Sequence, residues 1–381
     1  VIFLDHAATT PVRREALEAM WPFLSGAFGN PSSRHSLGDE AARALADARA
    51  TVAAVVGCRP GDVVFTSGGT EADNLAVKGL ALANPRGRHL VVSPIEHEAV
   101  LESAAYLARV HGFEVSEVAV DAGGVVEPSA LARVIRPDTA LVSVQLANNE
   151  IGTVQPIARL AEVAHAAGAL MHSDAVQAAG WLPLSLAGLG VDALSLAGHK
   201  VGAPKGTGAL IVRGRLPIEP VLHGGGQERG RRSGTENVAG AVAFATALRL
   251  AEAERADAAA RVGALGAELA ARVGATVPGA RSTGDAEHRL PGTVSFVFPG
   301  TSGEAVLLEL EADGIICSSG SACAAGSDEP SHVLTAIGVP AELAQTAVRF
   351  TLGATTTERE VADAAASIAR AVSAVRAIVE T

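Results

Sequence analysis

The 381-residue sequence predicts an α/β protein, with a large domain on a mostly parallel, mixed sheet covered by helices and a smaller C-terminal α+β domain. Three observations predict it. Short apolar runs alternate with helical stretches through the first two-thirds of the chain, the rhythm of β–α units whose strands are buried on both faces. Hydrophobic residues make up 48% and aromatics only 3%, so the core is built from Ala, Val and Leu, which suits helices on a sheet better than a sandwich. The length gives a prior of roughly two domains at about 150 residues each.

In chain order, the apolar run 63–65 leads through a glycine turn to a helix over 71–83, and the run 90–92 leads to a helix over 96–108. The run 141–144 passes a turn at 148–152 into a helix over 157–167; further strands follow at 169–171, 193–195 and 208–212. An Ala-rich helix spans 238–273, long enough that a break is expected within it. The Pro/Gly/polar stretch 277–292 is the best linker candidate, and 293–298 alternates as a half-buried strand. Val361, Ala365, Ile368, Val372, Val375 and Ile378 mark a helix over 358–379. The expected division is 15–255 for the large domain and 256–381, with 1–14, for the small one. There is no internal repeat.

Bulk properties exclude several classes. The formal net charge is −11, opposite in sign to that of a nucleic-acid or anionic-membrane binder, and the cluster Arg229, Arg231, Arg232 is too short to reverse it. No apolar run is long enough to span a bilayer, and the first residues lack the pattern of a secretory signal, so a cytoplasmic location is expected. Three cysteines do not make a disulfide framework but leave room for one reactive thiol. Of 30 basic residues only Lys78, Lys200 and Lys205 are lysine, so amine chemistry has three candidates.

Four segments carry chemistry. Thr66-Ser67-Gly68-Gly69-Thr70-Glu71 lies between a strand and a helix, where first-turn amides attract an anion; alone, it is equally a plain capped helix start. A strand ends at Asp174, beyond which ligands sit in open α/β sheets, although a helix cap would look the same. Another ends at Gly198-His199-Lys200 and presents an amine at the opening of the sheet, whereas Lys78 lies in a helix and Lys205 in a turn. Small residues around Cys323 describe an exposed loop with a thiol on it, while Cys317 fits a strand-end core position; the spacing of the two suits no metal. No G-x-G-x-x-G, Walker A or G-x-S-x-G pattern occurs, so His223-Gly224-Gly225-Gly226 has no hydrolase context.

Taken in order, Leu4-Asp5-His6-Ala7-Ala8-Thr9-Thr10-Pro11, residues 66–74, Glu96-His97, Asn148-Asn149-Glu150-Ile151-Gly152, 174–177, Gly198-His199-Lys200, 223–235, 318–323 and Arg349-Phe350-Thr351-Leu352-Gly353 resemble the cysteine desulfurases. These are pyridoxal 5'-phosphate enzymes of the class V aminotransferase group with the fold-type I architecture. The extended segment around Cys323 resembles the branch that includes the bacterial housekeeping and nitrogen-fixation desulfurases.

The resemblance implies conversion of L-cysteine to L-alanine by a homodimer, with sulfur passed to an acceptor protein such as an iron–sulfur scaffold. It implies that Lys200 holds the cofactor covalently and shuttles a proton, and that Asp174 pairs with the ring nitrogen. His97 would stack on the ring and Gln177 reach its hydroxyl. Gly69, Thr70 and His199 would bind the phosphate, joined by Thr235 from the partner subunit. Asn149 and Arg349 would fix the substrate, and Cys323 would take the sulfur as a persulfide. The small domain would then carry both Cys323 and Arg349. Two positions depart from the pattern: Ala197, where a serine hydroxyl is common, which implies slightly looser cofactor retention, and His6, where others have Tyr or Asn. Another class V activity (selenocysteine lyase, aminotransferase or β-lyase) is the alternative within the family, and a non-catalytic sulfur-relay or scaffold-binding protein the alternative outside it.

Overall fold

The computed structural model describes residues 1–319 and 329–379. After a two-residue strand, β1 (Ile2–Phe3), the chain builds its large sheet from β2 (Val63–Thr66), β3 (His89–Val92), β4 (Glu114–Glu117), β5 (Thr139–Ser143), β6 (Leu170–Asp174), β7 (Ala193–Ala197) and β8 (Gly208–Val212). The spatial order is β2-β8-β7-β6-β5-β3-β4. Strand β8 runs antiparallel to both its neighbours, and the other pairs are parallel.

Burial on both faces explains the near-continuous apolar strands. Val63, Phe65, Val91, Val142, Met171, Leu194 and Ile211 enter one hydrophobic cluster, while Val64, Leu90, Val92, Leu141, Ala193, Leu210 and Val212 enter another. Strand β4, sequence Glu-Val-Ser-Glu, was not expected. It lies at the sheet edge, largely exposed, and so lacks the apolar run that marks the other strands.

Helices start where the polar motifs lie. The first runs on from Gly69–Asn74 through a π-type stretch, Leu75–Gly79, to Leu80–Ala83, opening two residues before the expected start. The helix Glu98–His111 has His97 at its N-cap, whose Nδ1 accepts from the Ala99 N–H at 3.0 Å.

Three expectations are corrected beyond residue 237. The long helix Val238–Thr276 is continuous over 39 residues, without a break. Ala243, Phe244 and Leu248 pack into the large-domain cluster, and Val262, Leu265, Leu269 and Val273 into the core of the smaller unit. Packing at both ends supports it as a single element.

The stretch after it is no loose linker. It contains β9 (Arg281–Ser282) and is tied to the large domain: the Val154 N–H donates to the His288 carbonyl at 2.8 Å and the Leu290 N–H to the Gly152 carbonyl at 2.8 Å. Strand β10 (Thr293–Val297) is buried along its whole length rather than half-buried. Val294 and Phe296 face the small-unit core, while Val297 packs with Ile95, Ile151, Val333 and Leu334 at the junction with the large domain. Both faces of the strand are thus covered.

Next come β11 (Ile315–Ile316), which pairs in parallel with β1, then β12 (Ser318–Ser319) and β13 (Ala347–Thr351). The small sheet is antiparallel with order β12-β13-β10-β9. Helix Glu358–Val379 closes its core with Val361, Ile368, Val372 and Val375.

The insertion of β8 beside β2 brings two backbones into contact. A Cβ at Gly208 would meet the Gly68 Cα and the Leu196 carbonyl oxygen, each at 2.7 Å, so only glycine fits. Gly208→Ala is expected to cost about 1–3 kcal/mol in urea-unfolding experiments. Gly61→Ala, with no neighbour within 4 Å, serves as the control that should change little.

Candidate active site

Parallel strands β5, β6 and β7 deliver their carboxyl ends to one side of the sheet. The last residue of β6 is Asp174, 7% exposed, with one carboxylate oxygen accepting the Val176 N–H at 2.8 Å. Directly after β7, the 3-10 turn Gly198–Lys200 carries His199 and Lys200. The N-terminal segment folds over this turn. Lys200 Nζ donates to the carbonyls of Ala7 and Ala8, the latter at 2.9 Å, and Gln177 Nε2 donates to the Ala7 carbonyl at 3.0 Å. The Thr10 hydroxyl donates to the His199 carbonyl at 2.8 Å, and the Thr9 hydroxyl lies 3.2 Å from His199 Nδ1.

His97 and Lys200 both act electrostatically on Asp174, which places the three in one cluster. Gly69 opens its helix beside them, and no side chain caps that helix start. A Cβ on Gly69 would stand 2.8 Å from Val176 Cγ2, so the cradle admits no larger residue; Thr70 is exposed next to it. A cavity of about 480 Å³ opens beside Lys200 and Gln177, lined also by His6, Trp181, Thr351 and Gly353. His6 packs edge-on against Phe3 at 5.0 Å between ring centres.

From the small sheet comes Arg349 on β13, 1% exposed. It donates to the Asn149 carbonyl and to Asp5 Oδ1, both at 2.8 Å, and its Nε has no partner. A buried guanidinium that keeps a donor unpaired is a site for a further carboxylate. Thr235 stands apart from this group. It is exposed and lines a separate cavity of about 170 Å³ with Thr66, Ser67, Thr207 and Asn237. Cys323 lies outside the described residues. Of the two described cysteines, burial pushes the Cys58 thiol up to about 11 and the Cys317 thiol up to about 12, so neither is a thiolate at neutral pH.

Burial dominates the electrostatics. It raises Asp174, against the pull of His97, the Val176 N–H and Lys200 toward the charged form. It lowers His199 to about 4, helped by Lys200 and Lys205, so that imidazole is neutral. For Glu71 burial also works upward, but hydrogen bonds from Arg232 and Ser67 outweigh it and hold the carboxyl below its ordinary value.

Three further buried acids escaped the sequence reading as titrating groups: Asp73, Glu96 and Glu150. Each sits inside one of the motif segments with an apolar residue on one side only, so the local sequence carries little signal of their burial. Ala197 carries no hydroxyl toward the anion cradle. Among the described residues, no group of three His, Cys, Asp or Glu side chains is placed to hold a metal ion.

The donor set fits pyridoxal 5'-phosphate. An amine faces the space where an aldehyde would bind, a buried carboxylate can pair with a protonated ring nitrogen, and an uncapped helix start can take a phosphate.

Glu150 yields a pH test. It is 4% exposed, takes a 2.5 Å hydrogen bond from the Ser331 hydroxyl, and is raised to about 7 by burial. Folding binds its proton more tightly than the unfolded chain does, so its contribution is full below about pH 4.5 and lost as pH rises through about 7. Glu150→Gln should therefore exceed the parent in stability at pH 8, by up to about 3 kcal/mol, with the gap closing toward pH 5. Urea midpoints at the two pH values check this; an equal gap at both would contradict it.

The sequence matches the aminotransferase class-V family over residues 2–363. It is 44% identical over 360 residues to a cysteine desulfurase IscS from Dictyoglomus turgidum, covering 94% of this chain and 91% of the relative. It is 45% identical to one from Methanosarcina thermophila, covering 94% and 89%. A solved NifS-like protein superposes with a TM-score of 0.91 at 39% identity, covering 98% of this chain and 99% of that one. No helix among the described residues is long and apolar enough to cross a membrane. By these matches the chain belongs to the class-V aminotransferase family and, within it, to the pyridoxal 5'-phosphate-dependent cysteine desulfurases.

Proposed function

We propose that the enzyme converts L-cysteine to L-alanine and collects the sulfur on Cys323. The observation that supports this reading is the cluster of Lys200 with the buried Asp174 at the carboxyl ends of the strands, and a buried Arg349 on β13 keeps one donor unpaired. Pyridoxal 5'-phosphate, when bound, supplies an electron sink for bond breaking at the amino acid carbons.

The chain's own groups do the rest. Lys200 holds the cofactor and, once released, moves a proton at the substrate Cα. Asp174 provides the countercharge for the ring nitrogen, His97 covers the ring and assists proton transfer, and Gln177 orients the ring hydroxyl. Gly69, Thr70 and the neutral His199 hold the phosphate, with Thr235 of a second copy completing that site in a homodimer. Arg349 receives the substrate carboxylate on its unpaired donor side, next to Asn149. The Cys323 thiolate then attacks the substrate sulfur: an S–S bond forms, the C–S bond breaks, the electron pair left on carbon is protonated, and alanine departs. The persulfide passes to an acceptor protein, such as an iron–sulfur scaffold, in the cytoplasm. The high values of Cys58 and Cys317 support Cys323 as the nucleophile, since it is the third of only three cysteines.

Three variants test this reading. Lys200→Ala should lose covalently held cofactor and nearly all activity. Cys323→Ser should stay yellow and bind cysteine yet form no persulfide; undiminished sulfur release without added thiol would refute that assignment. Arg349→Ala should raise KM for cysteine on the order of 10–100-fold, as loss of a charge-assisted carboxylate pair requires.

A further inference from the structure

Behind Asp174 the large sheet carries a polar chain that none of these roles employs. His172 lies two residues before Asp174 on β6, and therefore on the same face. Its Nδ1 is 2.8 Å from the Ser143 hydroxyl on β5, and its Nε2 is 2.9 Å from the Ser195 hydroxyl on β7. All three side chains are at most 1% exposed. Ser195 also hydrogen-bonds to Asp73, 1% exposed, on the helix that opens at Gly69. One oxygen of Asp73 stands 3.7 Å from His172 Nε2 and has no hydrogen-bond partner.

The charges around this chain do not balance if every acid is ionised. The titrating groups acting on Asp73 are Asp174 and Glu96, both acidic. Glu96, fully buried, accepts the Gln145 N–H at 2.8 Å on one oxygen and leaves the other unpartnered. Burial pushes the His172 imidazole down to about 3, so it brings no positive charge. Only Asp174 has titrating groups nearby, Lys200 among them, that favour its charged form. Buried carboxylates without a cation give up their charge.

We propose that Asp73 is a positioning residue for Asp174: it stands as an un-ionised acid that donates to Ser195, fixes the direction of the Ser195–His172–Ser143 hydrogen bonds, and leaves Asp174 the sole anion of the pair beneath the cofactor ring. This rests on the reading of Asp174 as the partner of the ring nitrogen. The direction follows from donor and acceptor counts. A protonated Asp73 gives its hydrogen to Ser195, Ser195 gives its own to His172 Nε2, and His172 donates from Nδ1 to Ser143. An ionised Asp73 reverses every one of these bonds and places the imidazole hydrogen on Nε2. An Nδ1–H tautomer of His172 therefore requires a protonated Asp73.

The experiment uses the full-length enzyme loaded with pyridoxal 5'-phosphate, alongside Asp73→Asn and Asp73→Leu. The asparagine amide can still donate to Ser195, so this variant should keep the pH midpoint of the visible absorbance within about 0.3 unit and cofactor Kd within about twofold. The leucine variant removes the donor at similar volume and should bind cofactor about tenfold more weakly. Nitrogen-15 NMR of the parent should find the His172 hydrogen on Nδ1. A midpoint lowered by on the order of one unit in Asp73→Asn, the signature of deleting a nearby negative charge, would overturn the proposal. So would a leucine variant indistinguishable from the parent, or an Nε2–H tautomer. Should the leucine variant not fold, the asparagine midpoint and the tautomer decide. A parent protein that takes up no cofactor refutes the reading of Asp174 instead, and the tautomer then judges Asp73 alone.

Discussion

On the proposed reading Asp174 carries a charge in a place almost shut off from water, and that constraint bears on much of the large domain. A buried carboxylate reverts to its neutral form unless donors and cations hold it. Here the Val176 N–H, His97 and Lys200 favour the charged form against burial, and each comes from a different local device. The amide belongs to the turn that leaves β6, the imidazole to a helix cap, and the amine to the turn after β7. Parallel neighbours put the ends of β6 and β7 side by side, which a two-residue hairpin connection could not do. The sheet topology and the electrostatics of the site are two sides of one arrangement.

On the proposed reading, the substrate side of the site is assembled across the boundary between the two hydrophobic units. Arg349 rises from the small sheet, yet its partners are Asp5 near the N-terminus and the Asn149 backbone in the large domain. Around it, the loop 283–290 is hydrogen-bonded to residues 152–154, and Ile95, Ile151, Val297 and Val333 form an apolar seam. The guanidinium is thus fixed by two partners before a ligand arrives. Orientation of that kind lowers the entropy lost when a small amino acid binds.

Much of this was legible in the chain because strands ending in polar residues leave a plain mark. Short Ala/Leu-containing runs closing on Asp174 or on Gly198-His199-Lys200 announce both a strand and a reactive end, and the scarcity of lysine sharpened the second. What was not legible depended on neighbours. Strand β4 is held by pairing with β3 at an exposed edge, and its four residues carry no periodicity of burial. The length of the long helix suggested a break, but its Gly266 marks close packing rather than flexibility, since the Pro291 carbonyl oxygen would lie 2.8 Å from a Cβ there. Strand β10 looked half-buried because Thr293 and Ser295 are polar, yet both are covered, with Ser295 hydrogen-bonded to Thr283. The acids Asp73, Glu96 and Glu150 were visible as letters, but their isolation from water is a tertiary property.

The uninterrupted helix from Val238 to Thr276 has a mechanical consequence. At about 1.5 Å per residue it is a rod of roughly 58 Å, embedded in the larger core at one end and in the smaller at the other. Swinging one unit against the other would require bending that rod, so it resists the hinge closure open to lobes joined by a soft tether. Melting either core would also strip support from half of the shared rod, which couples the two into a common cooperative collapse.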